Sequence, residues 1–265
     1  MKQLILLLSI LSISTTLFAQ IGGLSGSKLG SYTVDVVDDK KIEFEPSFWH
    51  ARSSQYFDNN GTLENLYSTS DSLKVITAIS FRFTYGLWDK LELGMSVSTD
   101  VSAAAFGIRY AFLQKEKYGL GLIAGLNVPL GNRTLDQTVR ATGNIPQFGI
   151  GMVGAYSFTD NLSVDFTGQY VHFLRKTSDL DKGGFHINTD LGYYLLDHRL
   201  QLVGGLGYHY IKNNVGAHQI LTLIPGITVE ASKDFIMVFS VPFDVYGQLE
   251  NKNVAFNFAL TLTFN

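Results

Sequence analysis

Residues 253–265, NVAFNFALTLTFN, alternate between large apolar side chains and small or polar ones. The positions between the apolar residues carry only Ala, Asn or Thr, and the apolar positions are Val254, Phe256, Phe258, Leu260, Leu262 and Phe264. A period of two is that of a β-strand with one apolar face. Such a face can point at lipid or at a protein core, and the rest of the chain must decide between them.

Residues 1–19 have the pattern of a secretory signal peptide, with cleavage predicted after Ala19. Lys2 supplies the positive start, residues 4–11 form a short apolar run, and residues 14–19 are mostly small. That run is too short for a transmembrane helix, and no later segment approaches twenty uninterrupted apolar residues. The absence of cysteine excludes a lipoprotein anchor and disulfides.

The composition favours an all-β chain. Strand-favouring aromatics (19 Phe and 13 Tyr) occur together with 26 glycines, and 46% of the residues are hydrophobic. The net charge of −3, from 20 basic and 23 acidic residues, gives no electrostatic footprint for nucleic acid. An exported chain without disulfides must be stabilised by buried area or by a membrane.

From residue 41 onward the sequence resolves into about twelve alternating runs, and the links between them alternate in length. Short turns are predicted at residues 86–90, 114–117, 159–161, 196–199 and 231–233, and longer loops at 53–72 and 131–145. This arrangement places both termini on the rim with the short turns. Pro225 and Pro242 each remove a ladder donor, so distorted pairing is expected there.

The faces opposite the apolar ones carry charged and polar side chains, which a soluble barrel would turn outward and a membrane barrel inward. An aromatic terminal strand, aromatic residues near strand ends and strands of about ten residues favour the membrane. The predicted fold is a closed, antiparallel, up-and-down transmembrane β-barrel of about twelve strands spanning residues 41–265. A soluble β-protein is the alternative.

Eight of the inward-facing residues are predicted to line the lumen and to influence selectivity: Arg82, Glu92, Arg109, Asp165, Asp190, His186, His209 and Asp244. Arg82, Glu92 and Arg109 are expected at similar height, either as a charged constriction or as a salt-bridge ladder, of which the ladder is favoured. His186 is expected opposite His209. No third ligand is evident, so no metal site is predicted.

Twelve tilted strands close at a backbone radius of roughly 12 Å. The many small inward residues predict a narrow aqueous lumen: Gly119, Gly121, Gly125, Gly149, Gly151, Ala155, Gly205 and Gly207. Residues 20–40 are polar and rich in Gly and Ser. They form either a plug inside the barrel or a flexible periplasmic tail, and the tail is the favoured interpretation.

No enzyme is predicted, and no cofactor. A barrel phospholipase would place a serine two residues from an outward histidine, whereas the neighbours of His172 at that spacing are Tyr170 and Leu174. The sequence contains no G-x-S-x-G motif, and Asp58-Asn59-Asn60-Gly61 lacks the ligand spacing of a calcium loop.

Three stretches resemble an outer-membrane transporter family named for the meta-pathway of phenol degradation. They are residues 83–94 (FTYGLWDKLELG), 127–131 (NVPLG) and 225–228 (PGIT). The resemblance implies a barrel associated with uptake of small organic compounds, and it supplies no catalytic residue. Asn265 follows the last aromatic residue, which departs from the family's ending.

The sequence therefore predicts a monomeric channel in the outer membrane of a Gram-negative bacterium, through which a small solute diffuses. Its expected partners are the lipid bilayer with its lipopolysaccharide, the barrel assembly machinery and the solute. A non-conducting structural or surface-interaction barrel is the first alternative, and a barrel lipid hydrolase the second.

Overall fold

The computed structural model describes residues 21–26, 28–68, 72–99, 103–130, 145–174, 180–213 and 216–265, so the predicted signal peptide lies outside the described residues. The strands are β1 (Ile42–Phe57), β2 (Leu63–Asn65), β3 (Lys74–Trp88), β4 (Leu91–Ser98), β5 (Ala103–Gln114), β6 (Tyr118–Pro129), β7 (Gln147–Ser157), β8 (Leu162–Phe173), β9 (Leu180–Leu195), β10 (Leu200–Asn213), β11 (Ala217–Ser232), β12 (Phe235–Ser240), β13 (Phe243–Gln248) and β14 (Glu250–Phe264).

The strands form a closed antiparallel barrel. Each long strand pairs with the next along the chain, and β14 pairs with β1 from Ile42↔Phe264 to Phe57↔Glu250, which closes the wall. β2 is a three-residue strand that pairs with the last residues of β1. β12 and β13 pair with successive parts of β11 and together take the place of one barrel strand, which makes twelve strands in the wall. The prediction of a twelve-stranded, all-β barrel is confirmed.

The interruption lies at the two prolines, as their missing N–H groups predict. β11 pairs with β13 up to Leu223↔Phe243 and with β12 from Gly226↔Ser240, and the ladder lapses between these pairs. The Val241 N–H donates to the Pro225 carbonyl at 2.9 Å. On its other side β11 pairs continuously with β10, so the distortion is confined to one edge of the strand.

The wall is apolar outside and polar inside. Outward side chains such as Leu122 and Met152 are each 47% exposed, whereas Glu92 and Arg109 are fully buried inside. This inversion is the pattern of a membrane barrel. No helix among the described residues is long and apolar enough to cross a bilayer.

The two rims differ as predicted. One rim carries short turns, at residues 89–90, 115–117, 158–161, 196–199 and 233–234. Both ends of the barrel chain lie there, because the Lys40 N–H donates to the Gly86 carbonyl and the Thr263 N–H to the Asp234 carbonyl, at 2.8 and 3.0 Å. We call it the short-turn rim, and the opposite one the long-loop rim.

The predicted loop at residues 53–72 is partly wrong. Residues 53–57 continue β1, because their backbone still pairs with β14 beyond a register shift between Arg52 and Gln55, and β2 then pairs back onto β1. Of the predicted loop at residues 131–145, all but Ile145 lies outside the described residues.

Candidate functional site: a plugged lumen and its cavity

The N-terminal segment lies inside the barrel. Its apolar side chains Ile21, Leu24 and Val34 are 1%, 1% and 2% exposed. It forms no strand within residues 21–26 and 28–40, and it makes contact with inward side chains from β3 to β11. The sequence left open whether this segment is a plug inside the barrel or a periplasmic tail, and favoured the tail. In the structure it lies inside the barrel. We call residues 21–40 the plug.

Small inward residues make room for the plug rather than for water. A Cβ added to Gly94 would lie 1.5 Å from the carbonyl oxygen of Gly23, and one added to Gly86 would lie 2.0 Å from that of Asp38. Gly23 has φ +83°, which favours glycine and lets the plug backbone approach the wall. The predicted aqueous lumen is therefore wrong where the plug lies: of the residues that predicted it, Gly119 lies against the Val34 side chain, and Gly125 and Gly149 lie against that of Ile21.

The plug also has a small apolar core of its own. Ile21, Leu24 and Val34 pack in one cluster with inward residues of β5, β6 and β7: Ala111, Ile123 and Val153. Fully burying a Val, Leu or Ile side chain contributes about 1.5–3 kcal/mol, so this cluster is a substantial share of what holds the plug.

A buried ion pair binds the plug at two places. Glu92 and Arg109 are directly opposite each other on β4 and β5, with Oε1 and Nη2 2.9 Å apart. The Ser25 Oγ donates to Glu92 at 2.8 Å, and the Val37 N–H donates to it at 2.9 Å. Arg109 donates to the Thr33 carbonyl at 2.8 Å. Each charge thus has partners on the wall and in the plug.

Arg82 does not join this pair, so the predicted three-member ladder is wrong. The register of β3 and β4 places Arg82 opposite Ser96 and Glu92 opposite Gly86, four residues apart on β3. The ion-pair partners of Arg82 are Glu43 and Glu45 on β1, each at 2.6 Å. Its guanidinium also donates to the Leu24 carbonyl of the plug.

Two aspartates face each other across β8 and β9, and the plug supplies their counter-charges. Asp165 lies directly opposite Asp190 in the register, an unfavourable arrangement for like charges. Lys28 forms an ion pair with Asp165 at 2.7 Å. One oxygen of Asp190 accepts from the backbone N–H groups of Leu29, Gly30 and Ser31, at 2.8–2.9 Å. Successive N–H groups converging in this way form an anion-binding nest.

Tyr32 ties the plug to itself and to the wall. Its N–H donates to Thr167 Oγ1 at 2.7 Å, and its hydroxyl donates to the carbonyl of Ile21. Burial raises the pKa of the Tyr32 hydroxyl to about 12, against a smaller opposing effect of Arg82 and Arg109. The hydroxyl therefore stays protonated and remains a donor at physiological pH.

A cavity of about 230 Å³ lies in the lumen beside the plug. Leu29 and Gly30 of the plug form part of its lining, and the rest comes from β1 and from β9 through β14. Glu250 and Asn251, at the long-loop end of β14, also line it. The cavity therefore extends from the plug toward the long-loop rim.

The predicted pairing of His186 with His209 is present in this cavity. The two residues are opposite in the register, and their Nδ1 atoms are 2.9 Å apart. Asp244, the third predicted residue there, accepts from Thr222 Oγ1 at 2.6 Å and from the Asn253 N–H at 2.8 Å. Within the described part of the chain, no three His, Asp or Glu side chains are grouped to hold a metal ion.

All eight residues predicted to line the lumen are buried, and the structure divides them into two groups. Arg82, Glu92, Arg109, Asp165 and Asp190 bind the plug, while His186, His209 and Asp244 lie at the cavity. Their role in selectivity stays a prediction. Sequence reasoning missed Ser25, Lys28 and Ser31, which bind these side chains from the plug, and Trp49, which lines the cavity. The two opposed aspartates, whose other neighbours in the register are Ala155 and Gly205 rather than Lys or Arg, were the signal for a missing positive group.

No protein-family model matches the sequence, and no curated protein matches it. Solved structures do match. An outer membrane channel from Pseudomonas putida F1 has a TM-score of 0.68 at 15% identity, covering 87% of this chain and 98% of that one. A NanC porin has a TM-score of 0.53 at 7% identity, covering 83% and 98%. A KdgM porin has 0.52 at 10%, covering 83% and 99%.

These likenesses define the class of fold: the barrel is of the kind found in outer-membrane channels and porins. At such low identities they show the fold alone. The resemblance to the phenol-degradation family stays a prediction, since no family model matches.

Proposed function

We propose that the protein is a channel of the Gram-negative outer membrane that passes a small organic solute by diffusion and is closed at rest by its own plug. One observation carries the proposal: an apolar exterior surrounds a charged interior that contains a cavity. The fold that it shares with outer-membrane channels and porins supports the same conclusion.

The plug is attached in a way that allows it to leave. The wall closes through β14 and β1 without any strand from the plug. The plug is held by side-chain hydrogen bonds, the ion pair of Lys28 with Asp165 and the apolar cluster. Its covalent connection runs through Lys40 and Lys41 at the short-turn rim. Displacing it would break none of the ladder hydrogen bonds of the barrel.

Planar-bilayer recordings on two forms of the protein test the proposal. The mature chain is expected to conduct rarely and weakly, and a variant lacking residues 20–37 is expected to conduct steadily, because the glycine-lined space then fills with water. Glu92→Gln in the shortened variant is expected to shift the cation-to-anion selectivity, since Glu92 would then line open lumen. Silence of both forms would refute the channel.

A non-conducting structural or surface-interaction barrel is the second candidate, and the plug itself favours it. Buried ion pairs and an apolar cluster fill the lumen, and these contacts stabilise the barrel in its closed state. The recordings above separate the two candidates, because a structural barrel stays silent after residues 20–37 are deleted.

The remaining expectations belong to the same proposal. We expect a monomer that is inserted by the barrel assembly machinery and surrounded by lipid and lipopolysaccharide. The outward apolar band supports the lipid contact. Failure of the detergent-free mature chain to stay folded and dispersed in buffer would agree with it, and a soluble folded monomer would refute it.

A further inference from the structure

Residues that line the cavity beside the plug carry five buried polar atoms that have no hydrogen-bond partner within the described part of the chain. Four of them are Trp49 Nε1, His186 Nε2, His209 Nε2 and Ser240 Oγ, and the fifth, Glu250 Oε1, lies 3.5 Å from His218 Nδ1. His186, His209 and Ser240 are 7%, 6% and 2% exposed, so these atoms have little access to bulk solvent. Buried polar groups are nearly always hydrogen-bonded, so atoms left in this state indicate a site for a polar guest.

The two histidines present one donor and one acceptor to this site. In a neutral imidazole one nitrogen carries hydrogen and the other accepts. Because the two Nδ1 atoms are 2.9 Å apart, one must donate to the other. The ring that donates through Nδ1 then has an accepting Nε2, and the other ring has an Nε2–H. A hydroxyl group, which both donates and accepts, matches either nitrogen.

The charges at the cavity disfavour an anionic guest. Among the described lining residues there is no Lys or Arg. The carboxylate of Asp244 is occupied by Thr222 and Asn253, and Glu250 Oε1 lies 3.5 Å from His218 Nδ1. A carboxylate or phosphate guest would meet two acidic groups without a compensating cation in the lining. A neutral guest meets no such penalty.

The volume of the cavity and its apolar lining residues restrict the class of ligand further. Pockets for drug-sized ligands measure about 300–1,000 Å³, so a cavity of about 230 Å³ suits a smaller molecule. Ile220, Ile224 and Pro242 give part of the lining an apolar surface. Four unpartnered polar atoms need several hydroxyl groups, which a molecule with a single hydroxyl cannot supply.

We infer that the cavity binds a small, uncharged, polyhydroxylated molecule of monosaccharide size. The inference rests on the proposed function, because it names the class of solute that the channel would carry. Trp49 Nε1 and Ser240 Oγ donate to ligand hydroxyls, and the histidine pair supplies one donor and one acceptor.

The tryptophans of the chain provide the measurement. The sequence contains two, and Trp88 is 64% exposed on the outer face, so Trp88→Phe leaves Trp49 as the sole reporter at the cavity. The fluorescence of this variant in detergent is titrated with D-glucose, myo-inositol, phenol and D-galacturonate. A saturable change with glucose or inositol, and a weaker one or none with phenol and galacturonate, is expected. A response to phenol or galacturonate alone would overturn the inference, as would no response to any probe.

A double variant ties the signal to the site. His186→Phe with His209→Phe replaces both members of the hydrogen-bonded pair by rings of similar shape, which leaves neither ring with a lost partner. It is expected to weaken glucose or inositol binding at least tenfold. His172→Phe is the matched control, because His172 pairs with the outward Phe148, and it is expected to leave binding unchanged. Equal binding by the double variant would overturn the inference.

The two proposals fail in different ways. A barrel that binds glucose or inositol at Trp49 but never conducts, even without residues 20–37, would refute the channel and leave the binding site. A barrel that conducts but gives no Trp49 response would refute the binding site and leave the channel.

Discussion

The plugged and the open parts of the lumen use similar side chains in different ways. Ser25 in the plug and Ser240 at the cavity are buried to the same degree, 3% and 2% exposed. The Ser25 hydroxyl donates to Glu92, whereas the Ser240 hydroxyl has no partner within the described residues. In the plugged region the charged side chains all have partners, although single atoms such as Arg109 Nε and Asp190 Oδ1 have none among the described residues. At the cavity the whole Ser240 hydroxyl is left for a guest.

The same contrast holds for the titratable groups. Asp165 and Asp190 face each other and are balanced by Lys28 and by backbone N–H groups of the plug. His186 and His209 also face each other, but a single hydrogen bond joins their Nδ1 atoms, and the Nε2 atom of each ring has no partner among the described residues. Two carboxylates that face each other need a counter-charge that is part of the folded protein. Two neutral imidazole rings that face each other do not, and they can bind a ligand that comes and goes.

The largest effect is expected on the position of the plug, when a methyl group is added to the barrel wall at Gly94. Gly94→Ala would place a carbon 1.5 Å from the Gly23 carbonyl oxygen, so the plug must move away from β4. We expect cleavage by trypsin after Lys28, which the 8% exposure of that residue otherwise prevents, together with higher conductance. Mass spectrometry of the released N-terminal fragment detects the cleavage.

Gly204→Ala is the matched control for this change. A Cβ there meets nothing within 4 Å, because Gly204 lies on the outer face. It is expected to behave like the unaltered protein in both assays. Protection of Lys28 in the Gly94→Ala variant would show that the plug does not lie against β4.

The second largest effect is expected on the free energy of unfolding, when the buried ion pair of Glu92 and Arg109 is broken. Arg109→Leu leaves Glu92 charged, buried and without its cation. Removing one member of such a pair lowers the free energy of unfolding by about 3–5 kcal/mol. Urea titration in detergent micelles measures the loss. Adding Glu92→Gln is expected to restore part of it, since a neutral amide is easier to bury.

Arg199→Leu is the control for the ion-pair experiment. Arg199 is exposed in the turn between β9 and β10, and its replacement is expected to change stability by no more than about 0.5 kcal/mol. Equal stability of the Arg109→Leu variant would mean that the pair contributes nothing to holding the lumen together.

The wall of the barrel was predictable from the sequence because its pattern is local. Alternation with a period of two identifies each strand and its inward face, and tight turns then fix which strands are neighbours. Counting across the turn at residues 196–199 correctly placed His186 opposite His209. The same counting failed for Arg82, because β3 continues to Trp88 where a turn was predicted at residues 86–90, so Arg82 lies four residues along β3 from Gly86, the residue opposite Glu92.

The position of the plug could not be derived in this way. Residues 21–40 have no alternation, and their contacts reach side chains more than 100 positions away, such as Asp165 and Asp190. Glycine on an inward face is compatible with water or with a close backbone, and sequence pattern does not distinguish the two. The opposed aspartates required a partner, but their position did not specify which segment supplies it.

The smallest effects come from the two serines, and they test the contrast most directly. Ser25→Ala removes the hydroxyl that donates to Glu92 and accepts from Arg109, which is expected to cost about 1–3 kcal/mol of unfolding free energy in detergent. Ser240→Ala removes a hydroxyl that has no partner among the described residues, so a change within about 0.5 kcal/mol is expected without ligand. Equal losses for both variants would mean that Ser240 also has a fixed partner. The open part of the lumen would then be as complete as the plugged part, and the difference between them would lie in shape alone.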